Sequence, residues 1–491
     1  MIVPLDYANI SAGYTNLAIL RQAGDDPNGI DILINPGGPG FSGIDYVLSS
    51  SERLREDVGP RHNLVGFDPR GVGRSQIRLS CFQDSVSRKV KAGFQRARAN
   101  VMSSGLDDEE KSKEIFSQTE AYGKQCNEAN RDSDSRYAGT VAVAQDMLHY
   151  AKLLAQQQGT DKERAMLNFY GGSYGSTLGL TFAALYPQNV GRMIVDGVEN
   201  INEHYNGKIF GALRAIDAAA DEFFSKCHLE CTACDFCKPG NSLQDLKDRF
   251  DGLIAGYRAH PIPIESEKMP WKKSVKASDI LDGFLSGLRY YAWNWPVVAR
   301  DLVLWENRNV DILVWMKESD QEEDSLVEEA DDSQPAEMID YLDSAGRIGL
   351  NDVEDIKRYL RDAAHASKYG GQTSVVTEMS RWQRAGNVTP PDSQIFTGLR
   401  TNIKTATSVL FTTNRLDAVT PYAHQMATFF PGAVVLEQDS FGHTTQLVSS
   451  NCTRHFRRMY FENGTLPQKG TICAPDEPFS FGGSGRTSPK A

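Results

Sequence analysis

The five residues Gly171-Gly172-Ser173-Tyr174-Gly175 constrain this chain more than any other segment. An apolar run, Met166 to Tyr170, leads into them, and a segment at helical spacing, Ser176 to Tyr186, leads out. They therefore read as the turn between a strand and a helix. Small residues two before and two after the serine let such a turn close tightly enough to present the hydroxyl. Gly175 and Gly179 leave room for the helix to lie close on the sheet. The pattern alone arises readily by chance in a chain with 42 glycines; its strand and helix neighbours give it weight.

The same alternation recurs along the chain. Ile30 to Asn35 reads as a buried strand opening into Pro36-Gly37-Gly38-Pro39-Gly40, and Asn63 to Phe67 as another opening into Asp68-Pro69-Arg70-Gly71. Thr140 is expected to cap an amphipathic helix that runs to about Gln157, and Met193 to Val195 forms a further strand. From Asn200 to Gln394 the pattern turns charged, Trp-rich and helical; strand character returns at Ser408 to Phe411 and Ala433 to Leu436. Alternating strands and helices predict an α/β fold with a mostly parallel sheet. The expected organisation is a core of residues 1–199 and 396–481, a helical cap at 200–395 between its halves, and a flexible tail at 482–491. Ile2 to Tyr7 reads as an edge strand and turn, and no internal repeat is visible.

Bulk properties narrow the partners. No stretch approaches the roughly 18 apolar residues of a membrane span, so no membrane partner is expected. The net charge of −12 argues against nucleic acid, which selects for clustered Lys and Arg. Nine acidic residues and no basic one fall between Glu318 and Asp332, the signature of a solvated loop. The eight cysteines are Cys81, Cys126, Cys227, Cys231, Cys234, Cys237, Cys452 and Cys473. Sequons at Asn9, Asn387, Asn451 and Asn463 suggest a glycosylated, secreted product of the fungal extracellular type with oxidised cysteines. No signal peptide is visible before Val3-Pro4-Leu5, so the natural start is expected upstream.

A serine hydroxyl is a poor nucleophile at neutral pH, so Ser173 needs a histidine to take its proton and a carboxylate to orient that histidine. Asp417 follows the Ser408 to Phe411 strand and His443 follows the Ala433 to Leu436 strand. Both therefore stand where loops gather at strand ends. His443 alone among the histidines sits in a Gly-flanked loop after a late strand. His62 precedes a strand, and His149, His365 and His424 sit in helical patterns. Asp68 and Asp196 also follow strands, but chain order sets them aside. Acyl transfer also needs N–H donors for the oxyanion, for which Tyr174 and Gly38 are the candidates.

Taken together, Val3 to Tyr7, Asn35 to Gly40, Gly66 to Gly71, Gly171 to Gly175, Asn414 to Pro421, Gly442-His443 and the stretch holding Cys452, Gly464 to Pro467 and Cys473 resemble the tripeptidyl aminopeptidase-like branch of the α/β hydrolases, a relative of the prolyl aminopeptidases. The resemblance spans nearly the whole chain. It implies an α/β-hydrolase fold with a helical cap, a Ser173–His443–Asp417 triad, Gly38 and Tyr174 as oxyanion donors, and release of short peptides or single residues from free N-termini. It also implies Cys81–Cys126 and Cys452–Cys473 bridges. The Cys227 to Cys237 cluster is expected to hold two disulfides of open connectivity, with zinc as the alternative.

An aminopeptidase further needs acidic groups for the substrate ammonium, and Glu199 and Glu203 are the candidates. The cap departs from the family around Leu350 to Asp352 and Arg381-Trp382, where an expected pair of cysteines is missing, and in the acidic run. No cofactor is expected, and the oligomeric state stays open. Two alternatives remain: an esterase, lactonase or amidase acting on a small molecule, and a silent binding protein.

Overall fold

The computed structural model describes residues 1–81, 109–208, 210–263, 274–289, 294–309, 333–372 and 388–482. The acidic run 318–332, the sequon Asn387, the Arg381-Trp382 stretch and residues 483–491 of the tail lie outside them.

In chain order the strands are β1 (Ile2–Pro4), β2 (Tyr14–Asn16), β3 (Ile19–Gln22), β4 (Asp31–Asn35), β5 (Asn63–Phe67), β6 (Leu167–Gly172), β7 (Val190–Asp196), β8 (Ile262–Pro263), β9 (Ser274–Val275), β10 (Leu410–Leu416), β11 (Val434–Phe441) and β12 (Ile472–Cys473). Strands β1 and β2 form a separate ribbon, and β8 and β9 a small hairpin. The other eight form one sheet in the order β12-β11-β10-β7-β6-β4-β5-β3. Every pair in it is parallel except β3 with β5. All five residues of β4 and of β5 are buried, because helices cover both faces of a parallel sheet.

Strands β10 and β11 extend beyond the apolar runs that betray them. The polar Thr412, Thr413 and Asn414 are buried in β10, which lies between β7 and β11, and Asn414 spends its amide on the carbonyls of Gly442 and Thr444, at 2.8 Å each. A buried polar side chain tolerated by such bonds leaves no apolar signature.

The helix Thr140–Gln157 has the expected limits, but Thr140 is not its cap. Gly139 holds that position, and the Thr140 hydroxyl donates instead to Asp343 at 2.5 Å. Val141, Ala144, Leu178 and Phe182 belong to the apolar core on one face of the sheet. The helices Gly43–Val58 and Asn451–Asn463 bury Val47, Leu54, Tyr460 and Phe461 on the other.

The helices Ile201–Tyr205 and Ser333–Ser344 pack into the core of the sheet, whereas Phe210–Leu229, Leu243–Ala259, Ala277–Arg289, Trp295–Glu306 and Val353–Ala366 form a second layer with its own core. Phe223, Phe224, Phe250, Phe284 and Trp295 make it aromatic, each fully buried ring contributing about 1.5–3 kcal/mol. Phe441, at the end of β11, stacks on Trp295 at 5.4 Å. Phe479 and Phe481, near the end of the described chain, meet Trp295 at 5.1 Å and Phe223 at 5.8 Å. The Phe481 N–H and Ser480 hydroxyl are tied to Glu230 at 2.8 and 2.6 Å.

The cysteines close as Cys81–Cys126, Cys227–Cys234, Cys231–Cys237 and Cys452–Cys473. The cluster is thus two interleaved disulfides, which consumes the thiolates a zinc ion would need. Asn9, Asn451 and Asn463 are exposed. Among the described residues no helix is long and apolar enough to cross a membrane.

Candidate active site

Ser173 sits between β6 and the helix Tyr174–Leu185 with φ 54° and ψ −127°, a conformation that a side chain other than glycine rarely adopts. Its surroundings impose that backbone. The Ser173 N–H donates to the Asp196 carbonyl at 2.9 Å, and Ser176 donates its hydroxyl back to the Ser173 carbonyl at 2.6 Å. Glycine is required around it by close approach: a Cβ on Gly175 would stand 2.6 Å from the Asn35 carbonyl oxygen, and one on Gly37 would stand 2.9 Å from the Ser173 Cβ. The loop after β4 is therefore pressed against the serine. Tyr174 opens the helix, where first-turn N–H groups have no intrahelical acceptor.

Asp417 follows β10 directly, and His443 lies two residues beyond β11. The two strands are neighbours, so the residues meet. His443 Nδ1 is 3.1 and 3.2 Å from the Asp417 oxygens. The carboxylate also accepts from the Val419 N–H at 2.8 Å, the Thr420 N–H at 2.9 Å, the Thr420 hydroxyl at 3.0 Å and the Thr444 N–H at 3.2 Å. Burial alone would raise the Asp417 pKa, but His443 and these donors outweigh it and hold it below the ordinary carboxylate range. Burial would likewise depress His443, yet the Asp417 charge raises it above free imidazole.

A Cβ on Gly172 would stand 3.9 Å from the Thr444 methyl group, so the His443 loop packs beside the serine turn. Of the rival acids, Asp68 is buried and accepts from Ser42 and from the Ile44 and Arg74 N–H groups. Asp196 is buried against Arg457.

A cavity of about 250 Å³ lies alongside. Its walls include Gly38, Glu199, Glu203, His204, Asp340 and Thr420. Glu199 accepts from the Thr177 hydroxyl at 2.6 Å, and Glu203 from the Tyr422 hydroxyl at 2.7 Å. The structure thus brings both expected acids to one cavity with Gly38. Sequence reasoning missed their companions. His204 Nε2 lies 2.8 Å from Asp343, and its Nδ1 lies 3.8 Å from Glu199 and 3.9 Å from Asp340. Burial by itself would lower the His204 pKa, but these carboxylates lift it to about 9. Burial pushes Asp340 up to about 7. Asp343 also anchors the core, accepting from the Thr140 N–H at 2.8 Å, and Thr140 is hydrogen-bonded in turn to the Tyr174 hydroxyl. The only local signal was the i, i+3 spacing of Asp340 and Asp343 on a helix, which reads equally as a solvated face.

Comparison with known proteins agrees with this architecture. A family model described as alpha/beta hydrolase fold matches residues 32–270, and one described as TAP-like protein matches residues 371–473. Serine protease Hip1 of Mycobacterium tuberculosis is 25% identical over 478 residues, covering 96% of this chain and 86% of that one. A tripeptidyl aminopeptidase of Streptomyces coelicolor is 30% identical over 203 residues, 40% of this chain and 34% of that one. Carboxylesterase B of Mycobacterium tuberculosis is 39% identical over 84 residues, 17% and 16% of the two chains. With its eight-stranded sheet, its serine turn and both family regions in place, the chain belongs to the α/β hydrolases, in the branch that carries the TAP-like C-terminal region.

Proposed function

We propose that Ser173, His443 and Asp417 act as nucleophile, general base and orienting carboxylate of a serine hydrolase that releases short peptides or single residues from free peptide N-termini. One observation carries this reading: the His443–Asp417 pair stands at neighbouring strand ends beside a serine held at positive φ, next to a cavity walled by carboxylates.

With Nδ1–H donated to Asp417, Nε2 is the ring nitrogen that takes the Ser173 proton as Oγ attacks the substrate carbonyl carbon. The tetrahedral oxyanion is received by the Gly38 and Tyr174 N–H groups. On collapse the C–N bond breaks and the amine leaves with the proton from His443. Water then repeats the sequence on the acyl-enzyme and restores Ser173. In this reading Glu199 and Glu203 hold the substrate ammonium, which fixes the distance from the N-terminus to the scissile bond. Four disulfides suit an oxidising compartment, and we place the enzyme in one.

A second reading has a specific observation behind it. The same cavity is also lined by Pro39, Ala212, Ile348 and Val419, apolar walls that suit a small ester, lactone or amide, and one partial relative is a carboxylesterase. Peptide p-nitroanilides with free and blocked N-termini, set against p-nitrophenyl esters, separate the two. The aminopeptidase reading expects cleavage of unblocked peptides and, in Glu203→Gln, a KM for them raised about 10-fold, equivalent to roughly 1.4 kcal/mol, with ester turnover unchanged. Ester turnover without cleavage of any unblocked peptide would defeat it. Failure of folded wild-type protein to label with a fluorophosphonate would defeat hydrolysis by Ser173 altogether and favour a binding protein.

A further inference from the structure

Asp196 is set aside as a triad acid by chain order, yet it touches both halves of the site. It ends β7, in register with Gly172 of β6 on one side and Thr412 of β10 on the other. Its carbonyl accepts the Ser173 N–H at 2.9 Å. Its carboxylate accepts from Thr445, two residues past His443, at 3.0 Å from the N–H and 2.9 Å from the hydroxyl. One residue thereby joins the backbone of the serine turn to the loop that carries the histidine, although 270 positions separate Ser173 and His443 in the chain.

The link is braced from beneath. Arg457 lies 2.9 Å from Asp196 through Nη2 and 2.8 Å from Asp57 through Nη1, and Nη2 is also hydrogen-bonded to the Thr445 hydroxyl. The next loop residue is held as well: the Gln446 amide donates to Asp57 at 3.4 Å and its carbonyl oxygen accepts from the Tyr46 hydroxyl at 2.6 Å. Asp196, Arg457, Asp57 and Thr445 are all buried. Taking three ionised groups out of water is expensive, and apolar residues of similar volume often serve stability as well or better. What apolar residues cannot supply is directional anchoring of two consecutive loop residues against a strand end.

Resting on the triad reading above, we infer that Asp196, braced by Arg457, is a positioning residue that fixes the His443 loop against the Ser173 turn. Its negative charge also contributes to raising the His443 pKa, so its effect reaches the histidine electrostatically as well as through the loop.

The test uses Asp196→Asn and Thr445→Val in the full chain, with p-nitrophenyl acetate and a fluorophosphonate as probes that need no recognition by the acidic cavity. Asp196→Asn is expected to lower kcat and the labelling rate about 10- to 100-fold, the scale of a small misplacement of reacting groups, with KM nearly unchanged. The acid limb of its pH–rate profile should move to lower pH, because His443 loses an anionic neighbour. Thr445→Val keeps the charge, so it should lower the labelling rate severalfold without moving that limb. Folded variants that label at the wild-type rate with an unmoved limb, whatever their thermal midpoints, would reduce the network to scaffolding and overturn the inference. Should Asp196→Asn fail to fold, Thr445→Val decides alone by the same labelling rate. Absence of labelling in the wild type would instead bring down the triad reading itself.

Discussion

Two clusters of buried charge flank the serine turn, and they are built on different cations. Beneath the end of the central strand β7, Arg457 forks between Asp57 and Asp196. On the cavity side, His204 faces Asp343, Glu199 and Asp340. A guanidinium keeps its charge at any pH a protein survives, and its planar fork matches two acceptors at once. An imidazole surrenders its charge within the working range. The first cluster is therefore a fixed brace and the second a titratable wall, and the difference teaches where this site can afford to respond to its surroundings.

The largest expected effect removes the reference point between the clusters. Ser173→Ala should cost on the order of 10⁶-fold in kcat, measured by hydrolysis of the best substrate, with folding unaffected; activity above a hundredth of wild type would move the chemistry elsewhere. Next in size, Arg457→Met leaves two buried carboxylates unpaired and should cost about 3–5 kcal/mol of stability in denaturant titrations at neutral pH. A loss below about 1 kcal/mol, the scale of an exposed ion pair, would show that the guanidinium is no brace.

The cavity side carries the pH dependence. The folded-state pKa of His204 is about 9 against 6.5 for an ordinary imidazole, so its stabilisation is complete below about 6.5 and drains away as pH rises through 9. That amounts to roughly 3 kcal/mol. Asp340 acts in the same sense in a lower window, since a carboxyl raised to about 7 favours folding while protonated and ceases to as pH climbs from about 4 through 7. His204→Gln should flatten the upper part of the stability profile and Asp340→Asn the lower part. Wild-type stability that holds level from pH 6.5 to 9.5 would show that His204 does not carry the charge assigned to it.

Much of the fold and the core of the site is legible in the chain because each clue is local. Ser173 is announced by the strand before it and the small residues around it, and Asp417 and His443 stand just past apolar runs. What is not legible depends on distant pieces meeting. His204 and Asp343 lie 139 positions apart, and nothing near either one signals the other. Thr140 looks like a helix cap because capping is a local habit of threonine; a carboxylate 203 positions further on accepts its hydroxyl instead. The far ends of β10 and β11 are hidden for the same reason, since Asn414 is paid for by a loop 28 residues on. The pairing inside the Cys227 to Cys237 cluster likewise rests on geometry that spacing does not encode.

Phe479 and Phe481 carry a consequence for how this molecule is made. Chains emerge N-terminus first and domains tend to fold as units during synthesis, yet the aromatic layer that begins at Phe223 waits for a ring, Phe481, that follows it by 258 positions. Until Phe479 and Phe481 arrive, faces of Trp295 and Phe223 stay uncovered, a sticky patch of the kind that draws chaperones or self-association. A chain cut short before Phe479 would keep Ser173, Asp417 and His443 and still be left with that patch open.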